Sequence, residues 1–290
     1  MDPHLHGDDK SFLIPRLRGD DVRTYMFVFY SLLLIIGLVV GSFITMLTWR
    51  LPRSLSLKGR SACDKCHKKI SWYHNIPVAS YFLLGGKCAN CGKHISLRYP
   101  LIEVTTSALY VLAGYLWLYS DSTLLHELRA NTPVFSSLFI LISLITLHFS
   151  LLVVDLEHKL LPDVLTLLGG VVVLLILLTL PSPQLFQHLF WGFLSFLFFL
   201  SIFLITRGRG MGFGDVKLVF VLGSWLGFPY VLVWLLLSFA SGALIGIFLL
   251  FARKAHWKQE IAFGPFLLAA SFVTFFFGDI IIKWYIALSS

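Results

Sequence analysis

A series of long apolar stretches limits this chain more than any other feature. A membrane-spanning helix needs about 20 apolar residues, because a rise of ~1.5 Å per residue must cover ~30 Å of hydrocarbon. Seven stretches meet or nearly meet that length, at 25–48, 101–119, 134–154, 160–180, 186–206, 229–252 and 261–282. An eighth, 214–227, is short. Asp215 and the basic cluster Arg253, Lys254, His256 and Lys258 bracket about 38 mostly apolar residues, or ~57 Å of helix. That length suits two short crossings with a turn at Gly227-Phe228-Pro229-Tyr230. The chain therefore reads as an all-α polytopic membrane protein of about eight transmembrane helices, embedded in a lipid bilayer, with one long polar loop. The limits of the sixth span stay open.

Hydrophobic residues are 57% of the 290 and charged residues 13%, against roughly 45–50% and about 25% in soluble domains. This excludes a soluble globular enzyme and a disordered chain. A net charge of +8 is otherwise a footprint of nucleic-acid binding, but here its distribution reports topology, and no nucleic-acid partner is expected. Ten of the 23 Lys and Arg residues fall in the 49–99 loop, and alternating spans put seven more on the same face. The other face has four in the N-terminal tail, outnumbered by five aspartates, plus Arg129 and Lys283. By the positive-inside rule the loop is cytoplasmic and both termini lie outside. The first apolar stretch is too long for a signal-peptide core and has no clear cleavage site. The divisions expected are a tail (1–24), a first transmembrane helix (25–48), a cytoplasmic loop (49–100) and a transmembrane domain (101–290).

All four cysteines lie in that loop, as Cys63-Asp64-Lys65-Cys66 and Cys88-Ala89-Asn90-Cys91 with 21 residues between the pairs. Two C-x-x-C pairs at this spacing supply the four thiolates of a tetrahedral zinc site, and a reducing cytoplasm disfavours the alternative of disulfides. Four thiolates leave no open coordination position, so the Zn2+ is structural. His67, His74 and His94 then read as surface histidines. Gly92 suits the tight turn after the second pair.

Acidic residues are scarce, so those near spans are informative. One group is Asp155-Leu156-Glu157-His158 through Pro162-Asp163, and the other is Gly212-Phe213-Gly214-Asp215-Val216-Lys217. Two spans separate them, so both face the same side and Asp155 can meet Asp215. Gly208, Gly210, Gly212 and Gly214 permit close approach or positive φ. Two carboxylates within hydrogen-bond range share one proton. One then activates water while the other acts as acid, which is aspartyl peptidase chemistry. The residues alone leave other readings open: solvated loop acids, helix N-caps at Asp163 and Asp215, or an ion pathway.

Taken together, the motifs resemble those of the bacterial prepilin peptidases, the type IV leader peptidases with a GxGD motif. The resemblance rests on Gly41-Ser42-Phe43 with Arg50-Leu51-Pro52, the two cysteine pairs with Asn75-Ile76-Pro77 between them, and Ile95-Ser96-x-Arg98-Tyr99-Pro100-Leu101-Ile102-Glu103. Asp155-x-Glu157-His158-x-Leu160-Leu161-Pro162-Asp163, Gly212-x-Gly214-Asp215-x-Lys217 and Phe263-Gly264-Pro265-Phe266 complete it. It implies a bifunctional enzyme of the bacterial inner membrane that cuts the basic leader of type IV prepilins or type II secretion pseudopilins after a glycine, at the cytoplasmic face. It also implies methylation of the new N-terminus with S-adenosylmethionine, a function associated with the 49–100 loop, while residues 101–290 become the peptidase domain. Carried over, the catalytic residues are Asp155 and Asp215. Glu157 and Asp163 are second choices, Gly212 and Gly214 supply the turn, and Lys217 is expected to anchor Asp215. Gly86, Lys87 and Glu103 are candidates for the methyl-donor site, with Glu103 equally readable as a partner of Arg98. Glu157 and Glu103 are also the acids expected to receive the basic leader. The rival from another class is an ion or proton transporter with a structural zinc loop. Such proteins usually show inverted repeats or broken helices, and none is apparent.

Overall fold

Every apolar stretch is helical in the computed structural model, which describes residues 19–208, 211–251 and 262–289. The helices are α1 (Gly19–Arg50), α2 (Ala79–Leu83), α3 (Arg98–Tyr119), α4 (Thr123–Asn131), α5 (Val134–His158), α6 (Asp163–Leu177), α7 (Ser182–Ile205), α8 (Phe213–Leu226), α9 (Tyr230–Phe251) and α10 (Gly264–Ser289). Six of them are long and apolar enough to cross a membrane: α1, α3, α5, α7, α9 and α10. The remaining two expected spans are shorter. α6 has 15 residues and α8 has 14. Large apolar side chains remain exposed along the helices, among them Phe27, Leu167, Phe186 and Leu236. This outward apolar surface is what a bilayer requires, since lipid tails are as apolar as leucine. The chain is thus a multi-pass membrane protein.

α1 starts within the expected tail, at Gly19, with Asp21 in its first turn. An acidic residue there favours a helix start by offsetting the positive end of its dipole. The rest of the tail, Arg209, Gly210 and the basic cluster at 253–258 lie outside the described residues.

Small residues set the closest helix contacts, as they do where no hydrophobic force separates helix from lipid. Gly37 and Gly41 of α1 lie so close to α3 that a Cβ on either would come within 2.6 Å of the Cα of Ser107 or Glu103. The Ser107 hydroxyl donates to Leu34 O at 3.0 Å across the same seam. α7 packs along α8 and α9 along α10, while α5 touches α1, α3, α6 and α10. α5 therefore joins the α1–α3 pair to the rest of the bundle.

Polar contacts fix which helix ends lie together. Arg98 at the start of α3 donates to Thr45 O and Thr48 Oγ1 near the end of α1, at 3.2 and 2.6 Å, and pairs with Glu157 at the end of α5. Lys217 of α8 donates to Asp163 at the start of α6, at 2.6 Å. The cysteine loop and both acidic motifs thus share one end of the bundle, as span alternation requires. At the other end, Asp279 of α10 accepts from the N–H and hydroxyl of Thr123 at 2.7 and 3.0 Å, and so caps α4. α4 is an element the apolar-run count misses, because it is too short to span. Its Leu124, Leu125 and Leu128 form one buried face.

Candidate active site

Asp155 sits one turn before the C-terminus of α5, which ends where Lys159 takes a left-handed φ of 52°. Asp215 is the third residue of α8. Both side chains are buried, at 4% and 7% exposure. A third element brings them together. A Cβ built on Gly264, the first residue of α10, would overlap Asp155 Oδ2 and stand 3.2 Å from Asp215 Oδ1. The two carboxylates therefore border the same small space beside one glycine. Asp155 Oδ2 has no hydrogen-bond partner among the described residues. Asp215 Oδ2 accepts from the Gly212 N–H at 3.3 Å.

The two acidic motifs meet at further points. A Cβ on Gly214 would lie 3.0 Å from Leu161 Cβ, so this glycine serves close packing between the motifs. Gly212 is extended at φ −73°, and among the loop glycines Gly208 takes a positive φ, 73°. Lys217 does not anchor Asp215. It pairs with Asp163, because residues two apart on a helix point to different faces.

Glu157 is likewise turned away from the pair. Its carboxylate is engaged by two nitrogens of Arg98, Nη2 to Oε2 at 2.9 Å and Nε to Oε1. Glu103 is not the partner of Arg98. It is buried in α3, and its Oε2 accepts from the Val78 N–H at 2.7 Å. Val78 follows Asn75-Ile76-Pro77 and holds φ 61°, ψ −52°, with the Ala79 N–H bonded back to Pro77 O. This is a γ-turn, strained for a β-branched residue, and Glu103 is the group that secures it. Neither acid is thus free to receive a basic leader.

In the cysteine loop, the four Sγ atoms of Cys63, Cys66, Cys88 and Cys91 all lie within 4.8 Å of one another, with Cys63 and Cys91 at 4.0 Å. Tetrahedral zinc with Zn–S bonds of ~2.3 Å places its sulfurs ~3.8 Å apart, so the donor set fits such a metal. The two halves are built alike. The His67 N–H bonds to Cys63 O at 2.8 Å and the Gly92 N–H to Cys88 O at 2.9 Å. Both turn residues are left-handed, at φ 56° and 69°. The Cys88 thiol is lowered to about 7 by the backbone N–H groups of Cys91 and Asn90, which favour a thiolate. Gly86, at φ 66°, and Lys87, bridged to His94, lie on the second of these halves. Glu103 is on α3, bonded instead to the turn at Val78.

A helical membrane protein that buries a carboxylate pair from two separate helices, with a four-cysteine cluster able to hold a metal at the same end, has the build of a membrane-embedded enzyme. Sequence comparison identifies the family. The bacterial Peptidase A24 N-terminal domain matches residues 35–117, and the type IV leader peptidase family matches 138–247. The chain is 32% identical over 296 residues to the prepilin leader peptidase/N-methyltransferase of Pseudomonas aeruginosa, covering 92% of this chain and 97% of that one. It is 31% identical over 260 residues to the protein of that name from Bacillus subtilis, covering 89% and 98%. That from Aeromonas hydrophila is 31% identical over 297 residues, covering 89% and 94%. No solved structure matches the chain significantly. The chain belongs to the bacterial type IV leader peptidase family, and membership leaves the ion-transport reading without support.

Proposed function

We propose that this protein cuts the leader peptide of type IV prepilins and type II secretion pseudopilins after glycine, with Asp155 and Asp215 as the catalytic pair, and N-methylates the new N-terminus. The observation that carries this reading is the meeting of the two buried carboxylates in one space beside Gly264. The leader's apolar continuation stays in lipid while its polar part extends from the loop-bearing end, the cytoplasmic face of the inner membrane. One carboxylate accepts a proton from water, and the resulting hydroxide adds to the carbonyl carbon of that glycine, whose bond to the next residue's nitrogen is the one to be cut. The other carboxyl gives its proton to the carbonyl oxygen. Collapse of the tetrahedral intermediate breaks the C–N bond, and the leaving amine takes the proton first removed from water. The carbonyl oxygen returns its own proton, so both carboxyls end as they began.

Cys63, Cys66, Cys88 and Cys91 would hold one structural Zn2+, which cross-links the loop and takes no part in hydrolysis. The methyl group comes from S-adenosylmethionine, and the methyl-donor site is assigned to residues 49–100. Gly86, in a left-handed backbone with the Tyr81 ring packed against it, and Lys87 are its contact residues. Glu103 supports that site from beneath by holding the Val78 turn. The basic leader is received by backbone groups and anionic lipid.

The test is a synthetic prepilin incubated with the full-length protein and S-adenosylmethionine, with mass spectrometry of the product N-terminus. Asp155→Asn and Asp215→Asn should each lower cleavage by about 10²–10⁴-fold. Normal cleavage by either folded variant removes that residue from the pair.

A further inference from the structure

Between the two cysteine pairs the loop carries no Asp, Glu, Lys or Arg from Ile70 to Gly86, and residues 76–84 read Ile-Pro-Val-Ala-Ser-Tyr-Phe-Leu-Leu. Neither the carboxylate pair nor the cysteine cluster uses this run. We propose that it is an interfacial anchor. It lies in the headgroup and upper acyl region of the leaflet at the loop-bearing end, so that the cysteine loop rests on phospholipid instead of standing free in water. The anchor goes beyond the proposed activity and does not depend on it.

Depth is the first support. The Val78 N–H is bonded to Glu103 at 2.7 Å, and Glu103 stands five residues past Arg98, the start of α3, or ~7 Å along the helix axis. The exposed apolar face of α3 already begins before that level, with Leu97 and Leu101, and runs on through Val104, Leu112 and Tyr115. Val78 also lines the groove of about 960 Å³ between α1 and α3, together with Tyr30, Leu34, Val104 and Leu112. The segment is thus continuous with the surface that the bilayer covers. Interfacial elements sit ~5–10 Å into the headgroup and acyl boundary, which is the depth that Glu103 sets.

The side chains agree. Phe82 and Leu83 of α2 are 72% and 84% exposed. The short 3-10 turn Trp72–Asn75 packs beside α2, and its Trp72 is 78% exposed. Apolar side chains turned outward in this way mark an interaction surface, and Trp and Tyr favour the membrane interface. Lys68 and Lys69 precede the run and Lys87 and Lys93 follow it, all exposed. Their ammonium groups suit headgroup phosphates while their stems cover apolar surface.

The backbone supplies an independent argument, since an apolar layer tolerates only satisfied peptide groups. Ser80, Phe82, Leu84, Gly85 and Gly86 each donate to a carbonyl three to five residues back, and Ala79 donates to Pro77 O. Pro77 has no N–H, and that of Val78 is taken by Glu103. The strained turn and its buried acid thereby let the chain enter lipid without a bare donor, a device that a loop in water does not need. Gly86 and Lys87 follow directly, so the anchor holds the methyl-donor site at headgroup level, where an apolar substrate's new N-terminus leaves the bilayer. This last consequence alone rests on the methyl-donor site proposed above.

The experiment places the full-length protein in nanodiscs of equal parts phosphatidylcholine and phosphatidylglycerol. They are doped with a phospholipid carrying a diazirine near the carbonyl end of its acyl chain. After irradiation, trypsin releases peptides 70–87, 88–93 and 99–129 by cuts after Lys69, Lys87, Lys93, Arg98 and Arg129. Peptides 70–87 and 99–129 should carry lipid, and 88–93 should not. Label on 99–129 with none on 70–87 overturns the inference, as does equal labelling of 70–87 and 88–93. The double variant Phe82→Asp with Leu83→Asp should lower labelling of 70–87 at least about tenfold, because two apolar side chains give way to charges. Undiminished labelling overturns the anchor. Metal content equal to wild type reports a folded loop; if the variant loses its metal, the wild-type labelling pattern decides. If the variant loses its label yet methylates a mature pilin peptide within about twofold of wild type, the anchor stands and the placement of the methyl-donor site falls.

Discussion

Asp215 divides two roles between its two oxygens. Oδ2 caps the start of α8 through the Gly212 N–H, and Oδ1 faces the space shared with Asp155. Gly212, not Asp215, is the N-cap of α8; Asp215 closes the helix start from the third helical position, a role compatible with the catalytic one. The two roles separate by substitution: Asp215→Asn keeps a capping oxygen and should leave thermal stability nearly unchanged while abolishing cleavage. Asp215→Ala should also lose about 1 kcal/mol of stability, read in a thermal melt. Lys217→Ala tests the pairing found here. Its ion pair with Asp163 is partly solvated, so its loss should cost less than about 1 kcal/mol, and cleavage should persist. A collapse of activity would show that Lys217 acts on Asp215 after all. The sequence held the clue, since Lys217 and Glu157 each stand two residues from an aspartate of the pair, and helical side chains at that spacing diverge.

The two cysteine turns behave as one design with unequal residues. Gly92 meets its left-handed φ without penalty, whereas His67 holds the same conformation with a side chain. His67→Gly should preserve metal content and stabilise the loop by up to about 1 kcal/mol, because the left-handed region costs an L-residue about that much. Loss of metal in this variant would make His67 a ligand. Cys88→Ser should release zinc, measured by metal analysis, and destabilise the loop to proteolysis. Metal-free wild-type protein would sink the zinc assignment. The cysteine spacing made this element legible in advance. The γ-turn at Val78 and its dependence on Glu103 were not legible, because 25 residues separate the two partners. α4 was hidden for a different reason: its nine residues carry a short amphipathic pattern rather than a span.

Across the whole molecule, Arg98 ties the cysteine-loop half to the peptidase half. One guanidinium reaches α1 through Thr45 and Thr48 and α5 through Glu157, two residues past Asp155. Arg98→Ala should lower stability by about 1.5–3 kcal/mol, the value of hydrogen bonds to a charged group, and should slow cleavage by loosening the end of α5. The exchange Arg98→Glu with Glu157→Arg should recover part of the stability in a thermal melt. If Arg98→Ala cuts at the wild-type rate, the two halves work independently.

By itself the sequence determined the membrane class, the number and order of the apolar helices, the four-thiolate loop and the two acidic motifs. Each of these is written in local composition or in spacing along the chain. Only the tertiary structure decided which acids face one another and which are committed elsewhere. It turned Glu157 to Arg98, Asp163 to Lys217 and Glu103 to Val78, leaving Asp155 and Asp215 to meet beside Gly264. The reason is physical: side-chain direction on a helix depends on register, and helix contacts depend on which small residues let backbones approach. Neither is visible until distant segments are packed together.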